Sequence, residues 1–395
     1  ESHSSFLLDL KSRGFDVDTD SKSLFAYDTD RIYDHVILGP SSNIDAKQLL
    51  SFLEDGGNIL AIGSTDGVKG ELRRLAHELG MALPPIGSKL IDHFKAPNKD
   101  AHDILILDES SNTIPEPYVH QPGSKPLIYS GTGFSLLNNP LVLPILKAFR
   151  TSYVSSGPES AAAVTEPWVA GSQTYLAGAF QAYNNARFVF VGSDLFFSNK
   201  YYNDNKYGNK QFAEDLTKWA FRETGVIAVS DVSHGLANPE ALKAVLDANT
   251  TTLVGSNGPI YRIKEDIIYS IDLSIWDPES ASWTPYQAND DVQVEFIMLD
   301  PYYRLNLQNV GNTEDQSACK YQVEFKIPDH HGVFTFAVDY KRPGLAFIED
   351  RRTVTVRHYA HNEFTRSYAI SSSWVYLSAI MSIIGAWVIF VVSWV

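Results

Sequence analysis

Gly63-Ser64-Thr65-Asp66-Gly67 is the stretch that most invites an enzymatic reading. It follows an apolar run and precedes an amphipathic one, which is where an α/β hydrolase carries its nucleophile. A nucleophile elbow needs the attacking oxygen centred between two glycines, so that a strained turn exposes it. Here the centre is Thr65, and Ser64 is off-centre. An amidotransferase-like version would need a cysteine at that place, and the single cysteine is Cys319. A Gly-rich turn between strand and helix accounts for the pattern more simply. A membrane-anchored hydrolase using Ser64 or Thr65 stands as the alternative function.

Three Asp-x-Asp pairs come next: Asp16/Asp18, Asp18/Asp20 and Asp28/Asp30. Paired carboxylates hold hard divalent cations. These cluster in one acidic loop region with no strand pattern to keep them rigid, so they read as solvated. His330-His331 sits in a turn, where adjacent side chains diverge, and no second His or Cys falls at metal-ligand spacing. Cys319 has no electropositive surroundings and reads as an inert thiol. The residues therefore supply no catalytic group, no cofactor site and no metal site. Asn249-Thr250-Thr251 is the one N-x-[ST] sequon, and Asn249 is a glycosylation candidate if that side faces the secretory lumen.

From Ile370 to Val395 no residue is charged. The run from Trp374 would be about 33 Å long as a helix, against a hydrocarbon core of roughly 30 Å. It reads as a transmembrane span, with Trp374, Tyr376 and Trp394 suited to the interfaces. Ser378, Ser382 and Ala386 recur every fourth residue, with Gly385 beside the last. Small residues at that spacing let a second helix approach closely.

The elements ahead of the span fall into two patterns. Through residues 1–225, short apolar runs such as His35 to Gly39, Asn58 to Gly63 and Ile104 to Asp108 alternate with amphipathic stretches. Asp45 begins one of these, with Gln48 three residues on as in a capping box. Another runs from Gly70 to Leu79, and a third carries Phe212, Leu216, Trp219 and Ala220. This predicts a doubly wound, mostly parallel α/β domain of flavodoxin or amidotransferase type. Residues 226–361 shift to period two after a stretch rich in Ser, Asn, Gly and Ala. Val292, Val294 and Phe296, then Val323, Phe325 and Ile327, then Phe334, Phe336 and Val338, alternate with mostly polar residues. This predicts an antiparallel β-sandwich. Residues 362–373 form a polar stalk, and residues 374–395 the transmembrane helix. The net charge of −15 lies wholly in the ectodomain and argues against nucleic acid as a partner. A single cysteine excludes an intramolecular disulfide, which weakens a cell-surface adhesion module.

Longer runs point to a family. They are Asn184-Asn185-Ala186-Arg187, Gly192-Ser193 with Phe196-Phe197, Trp283-Thr284-Pro285, Asp290-Asp291-Val292-Gln293, Asp300-Pro301-Tyr302-Tyr303-Arg304, and Asp329 to Phe336 followed by Asp339-Tyr340. On these ordered motifs nearly the whole chain resembles the DDOST-type (48 kDa) subunit of the oligosaccharyltransferase complex. The stretches RHYAHNEF and SSSWVYLSAI make it most similar to the fungal members. The resemblance implies an accessory, non-catalytic subunit in the endoplasmic reticulum membrane, single-pass type I, with a lumenal ectodomain. It implies a catalytic polytopic partner that holds the divalent metal, plus ribophorin II-type and DAD-type partners. It implies a role in transferring oligosaccharide from dolichyl diphosphate to Asn of N-x-S/T, through assembly and substrate positioning. The family's leading strand and its short lysine-bearing cytosolic tail are absent from this chain as given. Orientation therefore rests on the resemblance, because Arg357 and Arg366 mark only one flank of the span.

Overall fold

The computed structural model describes residues 3–19, 26–27, 30–64, 67–68, 70–97, 102–107, 125–155, 166–237, 254–255, 258–364 and 373–395. The chain is mixed α/β, with many sheets and one C-terminal apolar helix.

The first region is built on five strands: β1 (His35–Leu38), β2 (Asn58–Ile62), β3 (Val142–Lys147), β4 (Tyr175–Gln181) and β5 (Arg187–Val191). Their order is β3-β4-β5-β2-β1. β1, β2 and β5 run parallel, while β4 and β3 join antiparallel. The sheet is thus mixed: two of its four pairings are parallel and two antiparallel, and β4 alone is reversed in direction. The reason is local: β4 and β5 form a hairpin through a polar turn in which Asn185 takes φ +66°, a conformation Asn tolerates better than most residues. β2 and β5 are buried along their whole length, as central strands must be.

Alternation sends the strand side chains into two cores. Leu60, Ile62, Val189 and Val191 meet α1 (Ser4–Ser12) and α4 (Asn209–Ala220). Ile59, Ala61, Phe188 and Phe190 meet α2 (Ala46–Glu54) and α3 (Gly70–Glu78). Asp45 does cap α2, accepting from Lys47 N at 3.2 Å. The second acceptor at that end is not Gln48 but Glu71 of α3, which takes Ala46 N at 3.3 Å. Leu105–Leu107 and Leu127–Tyr129 form a separate antiparallel pair.

The second region holds two sheets. One has the order β6 (Ile227–Leu236), β9 (Asp266–Asp277), β14 (Cys319–Lys326), β13 (Gln308–Asn312), with β10 (Ser282–Pro285) also on β9. The other has the order β7 (Val254–Gly255), β8 (Gly258–Arg262), β16 (Ile348–Arg357), β15 (Gly332–Tyr340), β11 (Gln293–Ile297), β12 (Pro301–Asn306). Both sheets bury into one cluster, with Ile267, Tyr269, Ile271 and Leu273 from β9 and Phe334, Phe336 and Val338 from β15. Rings meet across it: Tyr269 stacks on Phe336 with centroids 4.9 Å apart, and Phe296 packs edge-on to Phe325 at 5.3 Å.

The strands of this region run end to end between two places. β6 and β16 start, and β9, β14 and β15 meet the turns, so that one end carries residues 226–227, 277, 340–348 and 286–293. The other end carries residues 236, 262–266, 297–301, 326–332 and 357. Nine residues of β15 separate the ends by about 27 Å. α5 (Ser373–Trp394) follows, long and apolar enough to cross a membrane, with no residue buried.

Candidate functional site

Among the described residues, Ser64 is not set in a nucleophile elbow. Gly63 N bonds Val191 O at 2.7 Å, extending the ladder past β2 instead of breaking it sharply. Ser64 is absent from the residues with positive φ, so the strain an elbow needs is not present there. Thr65 and Asp66 lie outside the described residues. The carboxyl ends of β2 and β5 close on the neighbouring 130–132 segment. A Cβ on Gly131 would meet Gly192 O at 2.3 Å, and one on Gly192 would meet Thr132 O at 2.2 Å. Ser193 Oγ donates to Ser130 O, and Thr132 N donates to Gly192 O at 2.9 Å. Glycine is required at this seal because backbone fills the space a side chain would take.

Of the acidic pairs, Asp18 accepts from Tyr33 OH at 3.1 Å, and Asp16 is exposed. Asp20 and Asp28 are outside the described residues, as is the side chain of Asp30. His330 packs on Tyr302 at 5.4 Å and His331 on His358 at 5.3 Å. Among the described residues no three His, Cys, Asp or Glu side chains converge as a metal site. Cys319 is fully buried, and its thiol donates to Asn309 Oδ1 at 3.3 Å. Burial pushes that thiol up from its ordinary value, which makes it unreactive. Asn249 lies outside the described residues, as do Asp108 to Ser110.

The motif residues gather at two other places. The first is the seam between the two regions. Asn184 donates to the last carbonyls of α2, Leu53 O at 2.8 Å and Glu54 O at 2.7 Å. These are orphan acceptors that every helix end must satisfy. Asn185 reaches across instead. Its Nδ2 donates to Phe347 O at 3.0 Å, and its Oδ1 accepts from Phe347 N. Gln181 donates to Leu345 O at 2.7 Å, Trp219 Nε1 to Gly344 O at 2.8 Å, and Ala346 N to Gly225 O at 2.8 Å.

Arg187 lies under this seam with no exposed surface. Its guanidinium donates to Trp219 O at 2.6 Å, Thr224 O at 2.8 Å and Gly225 O at 2.8 Å. It also lies 4.5 Å from the Trp219 ring centroid. Trp219 O lies in the last turn of α4, at the negative end of the helix dipole, and Thr224 O and Gly225 O lie in the turn that follows. Burial lowers the pKa of Arg187 to about 9, so it remains charged at neutral pH. Asp290 and Tyr340 from the motif list tighten the same end, with Tyr340 OH donating to Asp290 at 2.7 Å and Arg342 also bound to Asp290. A cleft of about 270 Å³ opens beside the seam between Leu141, Gln181, Tyr183, Arg342 and Phe347.

The second place is the exit toward the span. Arg357 donates twice to Glu363, at 2.6 and 2.8 Å. Arg262 lies 3.6 Å from Glu363 and 3.3 Å from Glu265, and its guanidinium sits over the Tyr359 ring. The hydrogen bonds from Arg357 pull the Glu363 carboxyl down to about 2. This pins residues 357–363 to the end of the β region before the chain leaves it. Asp300 to Arg304 and Asp329 to Phe336 are the motif runs at this end.

On α5, Ser378 Oγ donates to Val375 O at 2.9 Å and Ser382 Oγ to Ala379 O at 2.7 Å. Their hydroxyls are satisfied within the helix, which leaves the stripe of Ser378, Ser382, Gly385 and Ala386 smooth. Sequence reasoning found the stripe and the motifs. It missed Gln181, Trp219, Arg262 and Glu363 as holding residues. A cation at the start of the apolar strand Arg187–Val191 was the available signal for the seam.

Comparison with known proteins covers the whole chain. The family model described as "OST48, N-terminal domain" matches residues 1–223, and "OST48 middle domain" matches residues 248–395. The Saccharomyces cerevisiae protein named dolichyl-diphosphooligosaccharide–protein glycosyltransferase subunit WBP1 is 36% identical, over 100% of this chain and 88% of its own length. The Schizosaccharomyces pombe subunit wbp1 is 35% identical over 99% of this chain and 88% of its own. The Danio rerio 48 kDa subunit is 32% identical over 99% and 87%.

Proposed function

The chain belongs to the OST48 family, and we propose on that premise that it is a non-catalytic accessory subunit of the oligosaccharyltransferase complex. It serves protein N-glycosylation, in which oligosaccharide passes from dolichyl diphosphate to Asn of N-x-S/T sequons. The observation that carries this reading is similarity along the full length to proteins named as subunits of that transferase. The non-catalytic part is supported by how the motif residues are used. Asn184, Asn185, Arg187, Asp290 and Tyr340 hold elements together. The strand ends where a nucleophile would stand are sealed by backbone.

In this reading residues 1–225 are a doubly wound domain, 226–361 a sandwich, 362–373 a stalk and 374–395 the span. The ectodomain stands in the lumen of the endoplasmic reticulum as a single-pass type I protein. The catalytic polytopic subunit, with its divalent metal, and the ribophorin II-type and DAD-type subunits are its partners, the small-residue stripe of α5 packing against one of their helices. The ectodomain would offer a surface to glycan or acceptor polypeptide. The amino ends of β1, β2 and β5 face the seam, which leaves the carboxyl ends of β2 and β5, closed by the 130–132 segment, on the far side of the first region. A cleft of about 380 Å³ beside α3, lined by Arg73, Arg74, His77, Glu78 and Trp168, adds an aromatic face and hydrogen-bonding groups suited to a sugar.

The test is transfer activity of the purified complex carrying Ser64→Ala with Thr65→Ala. Activity should equal wild type; loss of transfer with assembly intact would favour a catalytic chain. The assembly role is tested separately by Ser382→Leu, which should reduce co-purification of the other subunits in mild detergent. An intact, fully active complex after that change would rule out the stripe as the packing face.

A further inference from the structure

We infer that the exit end of the β region is a membrane-contacting surface, with Leu299 as its leading apolar residue and the head-group region of the bilayer crossed by α5 as its occupant. Leu299 tops the turn between β11 and β12 and is 94% exposed. It takes no part in the core beneath it.

A chain of contacts ties this tip to the point where the chain leaves. A Cβ on Gly332 would meet Met298 Sδ, the neighbour of Leu299, at 2.9 Å. Gly332 pairs with Val356, His331 packs on His358, and Tyr359 packs on Phe364 at 5.5 Å. Val333 and Phe364, both more than half exposed, extend the apolar surface, and Tyr302 leans on His330 beside it. Aromatic and histidine rings with one polar edge suit the lipid interface.

Two further facts choose lipid as the occupant. The first is reach. Nine peptide steps join Phe364 to Ser373, where α5 begins, and fully extended they span at most about 32 Å. The tether limits this end to within about 32 Å of the start of α5, while the opposite end is occupied by the seam. The second is charge. The chain carries −15, yet carboxylates at this end are matched: Asp329 by Lys264 at 2.7 Å, Asp266 by Lys326 at 3.5 Å, Glu363 by Arg357 at 2.6 Å. Among the described residues of this end, Asp300 is the exception. Local neutrality removes the repulsion that the rest of the ectodomain would meet at an anionic surface. An apolar tip above paired charges can then enter the head-group layer at little cost.

Nitroxide labelling of Leu299→Cys in the full chain, reconstituted into phosphatidylcholine nanodiscs, tests this. Native Cys319 is fully buried and stays unlabelled. Ile86→Cys, on an exposed turn of the first region, is the aqueous control. Molecular oxygen should relax the label at 299 more than a water-soluble nickel chelate does, with the reverse at 86. A label at 299 that behaves like the one at 86 overturns the proposal. So does one shielded from both reagents, since protein and not lipid would then cover the tip. Leu299 buries almost no surface in the fold, and unchanged circular dichroism of the variant checks that it folds.

Discussion

The seam and the exit are each held by an arginine, fully buried at the seam and partly exposed at the exit, and they satisfy it in opposite ways. Arg187 is met by three backbone carbonyls, one in the last turn of α4 and two in the turn after it, with no carboxylate among its hydrogen-bond partners. Arg357 is met by Glu363 through two charge-assisted bonds. Carbonyls do not titrate, so the seam holds at any pH at which Arg187 is charged. A carboxylate does, so the exit carries an acid-sensitive joint. The difference matches what each joint does. The seam fuses two cores and has no reason to open. The exit fixes the direction in which the chain leaves toward α5.

The largest expected effect breaks the first half of this contrast. Arg187→Met fills similar volume but leaves the carbonyls of Trp219, Thr224 and Gly225 without their donor. Stability should fall by about 3–5 kcal/mol. Calorimetry of the full chain should then resolve two unfolding transitions where the wild type has one. Arg187→Lys should not rescue it, because an ammonium cannot match the planar fork that reaches three acceptors. Retention of wild-type stability in either variant would contradict the role given to the seam.

A smaller effect sharpens the second half. The folded-state pKa of Glu363 is about 2, below its ordinary value of 4.5. Its stabilising contribution is therefore complete above about 4.5 and is lost as pH falls through about 2. Glu363→Gln should cost about 1–3 kcal/mol at neutral pH. The variant should also lack the part of the acid slope that the wild type shows between those two values. Urea titrations across that pH range measure both. An identical acid slope in the two proteins would remove Glu363 as the titrating joint.

Much of the fold was legible where one physical signal dominated. The periods of β1, β2 and β5 and the apolar faces of α2, α3 and α4 follow directly from burial on one side. The span needed only length and the absence of charge. Other elements escaped. β6 is half-exposed along both faces and carries no clean alternation, so it does not stand out from the irregular stretch around it. β9 does alternate, Ile267, Tyr269, Ile271 and Leu273 against Ser270, Asp272 and Ser274, which is a legible strand signal. The reversal of β4 within the sheet was not legible, since strand direction depends on the connecting turn more than on strand composition.

The candidate sites divide in the same manner. The motif Asn184-Asn185-Ala186-Arg187 was visible as a signature but not as a joint. Its partners, Leu53, Phe347 and Trp219, lie between 32 and 162 residues away. The sequence alone determined that this chain has an α/β region, a β region and an apolar anchor, and which family it resembles, because hydrophobic period and ordered motifs are local properties. Only the tertiary structure decided that the signature residues hold the two regions together, that the strand ends leave no elbow for Ser64, and that Leu299 stands bare beside the exit. Each of those facts depends on which distant backbone comes within hydrogen-bonding or van der Waals range, and local pattern carries no information about that distance.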